Sequence, residues 1–248
     1  MATQLVFVSL LLALVGCDSD DTQKLDSGAA PSDGATLADA ANNTDASSLA
    51  DAARADARIG PDATPNLAMS FFVTSTGSGA SGGDLGGLSG ADAKCQNLAN
   101  SAGGGSRTWH AYLSTGSVGP GPAEHARDRI GTGPWRNQQG DIVASTVANL
   151  HANGLKIDVI FSEHGDLIPS SEHDILTGTG TDGNVSDASQ TCDNWTNGGV
   201  NSQAQVGHAD IPVNNSKESW NSQHSGSCDQ ASLAGNAGAG RLYCFAID

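Results

Sequence analysis

Five cysteines constrain this 248-residue chain more than any other feature: Cys17 stands alone near the N-terminus, while Cys95, Cys192, Cys228 and Cys244 are spread over the C-terminal part. No CxxC or HxxxH pair accompanies them, and that spacing argues against a zinc site. Four half-cystines in an exported domain argue instead for two disulfides, with three connectivities open. Such staples matter here, because the chain has 32 glycines and only 4% aromatic residues.

The export assumption rests on the N-terminus. Leu5–Val15 is an apolar run too short to span a bilayer, and it fits the h-region of a secretory signal peptide over residues 1–16. Leu14, Val15, Gly16 and Cys17 have the form of a bacterial lipobox, in which Cys17 is lipidated and becomes the mature N-terminus. The odd cysteine is thereby explained. Met1–Gln4 carries no Lys or Arg, so the leader lacks the usual charged start, and a plain secreted protein is the competing reading.

From Cys17 to Ala68 there are ten Asp, no Glu, and only Lys24, Arg54 and Arg58. A loose repeat, LADAA at Leu37 and at Leu49, brings no apolar stripe with it. Such a segment cannot bury enough surface to offset its ordering entropy, so residues 17–65 are expected to form a disordered, self-repelling tether. The whole chain carries a formal charge of −16. Nucleic acid is therefore excluded as a partner, and a membrane is reached only through the lipid.

Residues 66–248 form the expected folded domain. Met69–Ser75 reads as a strand, rich in aromatic and β-branched residues. Ser89 suits an N-cap with Asp92 at N3, and Ala91, Cys95, Leu98, Ala99 and Ala102 follow at helical spacing. Thr108–Ser114 alternates as a second strand. WRNQQGDIV at Trp135 and IFSEHGDLI at Ile160 each enclose a polar Gly-Asp turn between apolar ends, as hairpins do. Ala144–Ala152 is a short helix, and Arg241–Ile247 a closing strand. The mixture defines an α+β class.

The glycine-rich stretch from Gly77 matches two enzyme patterns. Gly77, Gly79 and Gly82 fit GxGxxG, and Gly79, Ser81 and Gly83 fit GxSxG. No second parallel strand with an acidic residue follows, and no helix starts directly after Ser81, so neither pattern has its required context. GGDLGGLSGADAKCQNLA, Gly82–Ala99, instead resembles the opening helix of the endostatin-like domain, the C-terminal module of collagens XV and XVIII, which also has relatives among bacterial surface lipoproteins. WHAYLS at Trp109, LTGTGTDG at Leu176, CDNWT at Cys192, SW at Ser219 and LYCF at Leu242 follow in the family's order.

The resemblance implies a C-type lectin-like fold whose first and last strands lie together. It also implies nested disulfides, Cys95 with Cys244 and Cys192 with Cys228. The family's basic heparin-binding face has no counterpart, because 17 Asp/Glu oppose 8 Lys/Arg from Asn66 onward. Its N-terminal zinc-binding histidines have none either, since no His precedes His110, and the EPN and QPD signatures of calcium-dependent lectins do not occur.

Candidate sites follow from residue type. Asp182, Asn184 and Asp187 supply hard oxygens for calcium, joined by Asp193 or Asn194, although an ordinary Asp-Gly turn explains them as well; no other cofactor is implied. Glu163–Asp166 and Glu172–Asp174 set carboxylates beside His164 and His173 as an acid/base pair would, yet read better as surface polar clusters. Trp109, Trp135, Trp195 and Trp220 suit a core better than a sugar-stacking platform. The Asn/Ser/Gly-rich stretch Asn197–Ser227 is the expected recognition loop, with Trp195, Asn197, Asn201 and Trp220 as ligand candidates. These features define an expectation: a non-enzymatic module, lipid-anchored in the cell envelope at the outer membrane or cell surface, that binds an extracellular or matrix protein or a glycan. A calcium-dependent lectin and an acid/His hydrolase are the alternatives.

Overall fold

The computed structural model describes residues 69–117, 121–157 and 160–248. The signal segment 1–16, Cys17 and the tether 18–65 lie outside the described residues. Among the described residues, no helix is long and apolar enough to cross a membrane.

Three short strands make the first sheet, in the order β1 (Phe71–Val73), β9 (Tyr243–Ala246), β2 (Trp109–Ala111), all antiparallel. Register places Phe71 opposite Phe245 and Phe72 opposite Cys244, with Ala111 also opposite Cys244. Side-chain alternation then sorts the residues by face. Phe72, Trp109, Ala111 and Cys244 pack with helix α1 (Gly87–Ser101) in one core cluster, while Phe71, Tyr243 and Phe245 join Tyr112, Trp135 and Trp220 in another. The first and last strands of the domain thus share a sheet, and a buried layer lies on each side of it.

Helix α1 presents Ala91, Cys95 and Ala99 to the core as its spacing predicts. Its start differs from the sequence reading. The N-cap is Gly86 at φ +74°, and Ser89 lies inside the first turn with its hydroxyl on the Gly86 carbonyl. Asp92 is released from capping. Its carboxylate takes both Arg129 Nη2 at 2.7 Å and the Ala111 amide at 2.9 Å, tying the helix to β2 and to the short helix α2 (Ala126–Arg129).

The hairpin at Trp135 is present as β3 (Trp135–Arg136) with β4 (Ile142–Ala144), and Phe161 bridges Leu167 around the second Gly-Asp turn. Helix α3 (Val147–Asn153) follows β4, capped by the Thr146 hydroxyl. The four-stranded second sheet runs β7 (His224–Ser227), β6 (Gln203–His208), β5 (Asp174–Leu176), β8 (Gly238–Arg241). Its β5–β8 pairing is parallel and the others are antiparallel.

Both disulfides are formed, Cys95 with Cys244 and Cys192 with Cys228, one within the other in sequence. The inner one explains the glycines of the opening stretch. A Cβ on Gly83 would stand 2.2 Å from Cys192 Sγ, and one on Gly82, where φ is +56°, would stand 2.3 Å from the Cys228 carbonyl oxygen. The stretch is bare so that its backbone can lie on the bridge.

Candidate functional site

The recognition stretch is more ordered than its composition suggests. Asn197–Ser227 contains all of β6 and all of β7, so part of it is sheet rather than loop. Strand β6 is buried over Ala204–Gly207, Gln205 included, while β7 is made of His, Ser and Gly with none fully buried, so the stretch reads as featureless in sequence. Trp195 and Trp220 are fully buried, with Trp195 Nε1 donating to the Ser114 carbonyl at 2.8 Å, so neither ring faces solvent. Asn197 and Asn201 lie on the loop before β6. The Asn197 amide bonds the Asp193 carboxylate, and its carbonyl oxygen accepts from the Gly199 amide. Beside them Val200 is 70% exposed.

That loop springs from α4 (Cys192–Trp195), a single left-handed turn in which all four residues have φ between +49° and +67°. Non-glycine residues adopt this region at a cost, and a run of four persists only where the surroundings over-determine it. Three restraints do so: the Cys192–Cys228 bridge, the buried Trp195 ring, and the Asn194 side chain that accepts from the Gly116 amide.

Of the calcium candidates, Asp182 accepts hydrogen bonds from both the amide and the side chain of Asn184, and the two bonds together with Arg127 hold its carboxyl below the ordinary range despite partial burial. Asp187 caps the 3-10 turn Ala188–Gln190 through the Ser189 amide and hydroxyl, which likewise lowers its carboxyl.

The acid/histidine pairs are the surface clusters expected only in part: His164 and Asp166 are exposed, but Glu163 and Asp174 are not. Glu163 is buried at 1% exposure, its carboxylate accepting from the Ser75 amide and hydroxyl. Glu172 pairs with Arg241. Asp174 is buried at 4% exposure and faces three imidazoles. His208 Nε2 is 3.0 Å from its Oδ1, His173 Nε2 is 3.3 Å from the same oxygen, and His224 Nε2 is 3.3 Å from Oδ2.

Sheet register builds this cluster. Asp174 on β5 lies directly opposite His208 on β6, and His224 on β7 lies opposite Val206, two residues before His208 and so on the same face. His173 immediately precedes β5, and the Ala209 amide donates to its carbonyl at 2.8 Å. Asp210 stands 3.8 Å from His208 Nδ1 and 3.7 Å from His173 Nδ1. The cluster opens to solvent on the side of His224 and Asp210, and a small cavity of about 160 Å³ lined by Ile160, Leu167, Ile168 and Ala209 adjoins it at His173 and Asp210.

His208 and His224 escape a sequence reading because Asp174, His208 and His224 are 34 and 16 positions apart along the chain, at intervals that match no local ligand motif. Recognition of β6 and β7 as a hairpin would have paired them. No protein-family model matches the chain, and no curated protein sequence matches it.

Proposed function

We propose that this chain is a surface lipoprotein whose folded part is an endostatin-like domain of the C-type lectin-like fold, acting as a non-enzymatic module that binds an extracellular protein or glycan. Acyl chains on Cys17 anchor it in the cell envelope, at the outer membrane or cell surface, and residues 18–65 serve as the tether. Pairing of the terminal strands and the nesting of the two disulfides both support the family reading.

The observation that carries the recognition role is the left-handed turn Cys192–Trp195, clamped by a disulfide, beyond which Val200 and Asn201 are presented to solvent with the half-buried Asn197 beside them. A loop fixed in advance loses little entropy on binding, and loops on rigid scaffolds commonly hold recognition residues. A glycan and matrix-protein array, read with and without calcium, supplies the ligand. Joint replacement of Asn197, Val200 and Asn201 by Ala is expected to abolish that binding with the melting temperature preserved. Retained binding would remove the loop from the role. Palmitate labelling that persists in Cys17→Ala would remove the anchor.

A further inference from the structure

We propose that Asp174, His208 and His224 form a binding site for one divalent transition-metal ion of zinc type, with His173 standing beside it against Asp174 Oδ1.

Charge balance is the first support. Asp174 is the most buried member of the cluster, and among the described residues no Lys or Arg pairs with it. A buried carboxylate without a cation is costly by several kcal/mol. Its Oδ1 and the His208 Nε2 beside it each lack a hydrogen-bond partner although they stand only 3.0 Å apart. Two polar atoms that face each other without bonding need a third party.

Tautomer is the second. His173 Nδ1 lies 2.7 Å from the Ser170 carbonyl oxygen, which can only accept, so Nδ1 carries the proton. In its neutral form the ring directs the Nε2 lone pair at Asp174 Oδ1, an arrangement that is repulsive between two acceptors and favourable around a shared cation. Donation of the far ring nitrogen to a carbonyl is how proteins orient metal-bound imidazoles. Asp210 stands in the corresponding place beside His208 Nδ1.

Spacing is the third. Zinc–ligand bonds of about 2.0–2.1 Å in tetrahedral geometry separate the ligand atoms by about 3.3 Å. The three nitrogen-to-oxygen separations are 3.0, 3.3 and 3.3 Å, and the donor atoms of Asp174, His208 and His224 all fall within 4.8 Å of one another. Two imidazoles and one carboxylate, with a third imidazole beside them, suit zinc and its neighbours in the first transition row; calcium and magnesium take oxygen donors and suit this set poorly. Because β5, β6 and β7 each contribute, the ion would clasp the open end of the second sheet. This inference is independent of the recognition role.

The test uses untagged full-length protein, stripped with chelator and titrated calorimetrically with Zn2+, then Ca2+ and Mg2+. One Zn2+ per chain is expected, with neither Ca2+ nor Mg2+ competing. His208→Ala and Asp174→Asn should each weaken zinc by about 100-fold or more, whereas His164→Ala, outside the cluster, should leave it unchanged. Should the buried variants fail to fold, His224→Ala decides, since that ring is 41% exposed. Co2+ should give the intense visible absorption of a four-coordinate ion. Absence of stoichiometric zinc, unchanged affinity in His224→Ala, or a weak six-coordinate cobalt spectrum would each overturn the site. Ligand binding on the array would survive any of these results, so the two proposals fail separately.

Discussion

The sheet β1–β9–β2 and the histidine end of the sheet β7–β6–β5–β8 face the same difficulty, since strands of three to six residues do not hold together alone. The first sheet solves it with material that solvent conditions barely touch: aromatic layers on both faces and the Cys95–Cys244 bond from α1 to the central strand. The second solves it at one end with four groups whose mutual attraction depends on what lies between them. Covalent and apolar contacts hold at any pH or metal level within the working range. A buried carboxylate ringed by imidazoles holds only when positive charge is supplied.

The largest test of that contrast is removal of the outer disulfide. Cys95 and Cys244 are 149 positions apart, and a chain-entropy estimate for such a loop gives roughly 5 kcal/mol. Urea unfolding of the Cys95→Ala, Cys244→Ala double variant should show a loss of that order. A loss near zero would mean that the apolar layers alone secure the first sheet. Next in size is Asp92→Ala, which strips the nearly buried Arg129 of its two-point partner and the Ala111 amide of its acceptor. About 2 kcal/mol of destabilisation is expected by the same method. If the loss were below about 0.5 kcal/mol, the apolar contacts of α1 would suffice without the ion pair.

The second sheet should behave in the opposite sense. In chelator, Asp174→Asn removes an uncompensated buried charge while keeping the shape, so stability should rise rather than fall. With zinc present the wild-type protein should gain stability that this variant does not. A large loss in chelator would show that protonated imidazoles already balance the carboxylate.

The smallest effect expected is a pH dependence in the aromatic layer between the sheets. His151 Nδ1 donates to the Val147 carbonyl, so Nε2 accepts from the Tyr112 hydroxyl at 2.7 Å, and that hydroxyl in turn accepts from the Asn221 side chain. Burial holds the His151 imidazole below its ordinary value. The unfolded chain therefore takes up the proton first, and stability present above about pH 6.5 should decline as the pH falls below it. His151→Gln should flatten that limb of a melting-temperature profile. An unchanged limb would assign the acid sensitivity elsewhere.

The two sheets also differ in how far they can be read from sequence. Strand β1, helix α1, β2 and β9 announce themselves because their contacts follow local periodicity: Phe71, Phe72 and Val73 are β-formers in a row, and Ala91, Cys95 and Ala99 recur at the helical interval. Ser89 and Asp92 match the capping pattern, yet the helix starts at Gly87 and the Asp92 carboxylate goes to Arg129. Strands β6 and β7 were hidden by composition. QAQVGH and HSGS have too few β-branched residues to signal a strand, and their pairing draws on neighbours rather than on propensity.

What the sequence by itself determined is the covalent and apolar frame: an even set of four cysteines in the folded part, an amphipathic helix carrying one of them inward, and terminal strands rich in aromatic residues. These depend on residue type and on spacing within one element, which a linear reading can measure. Tertiary structure alone decided that Glu163 and Asp174 are buried, that the tryptophans offered for ligand stacking are enclosed, and that His173, His208 and His224 meet around one carboxylate. Each of those outcomes depends on which strands become neighbours and in what register. Register is settled by the summed packing of two sheets, and no local stretch of the chain carries that sum.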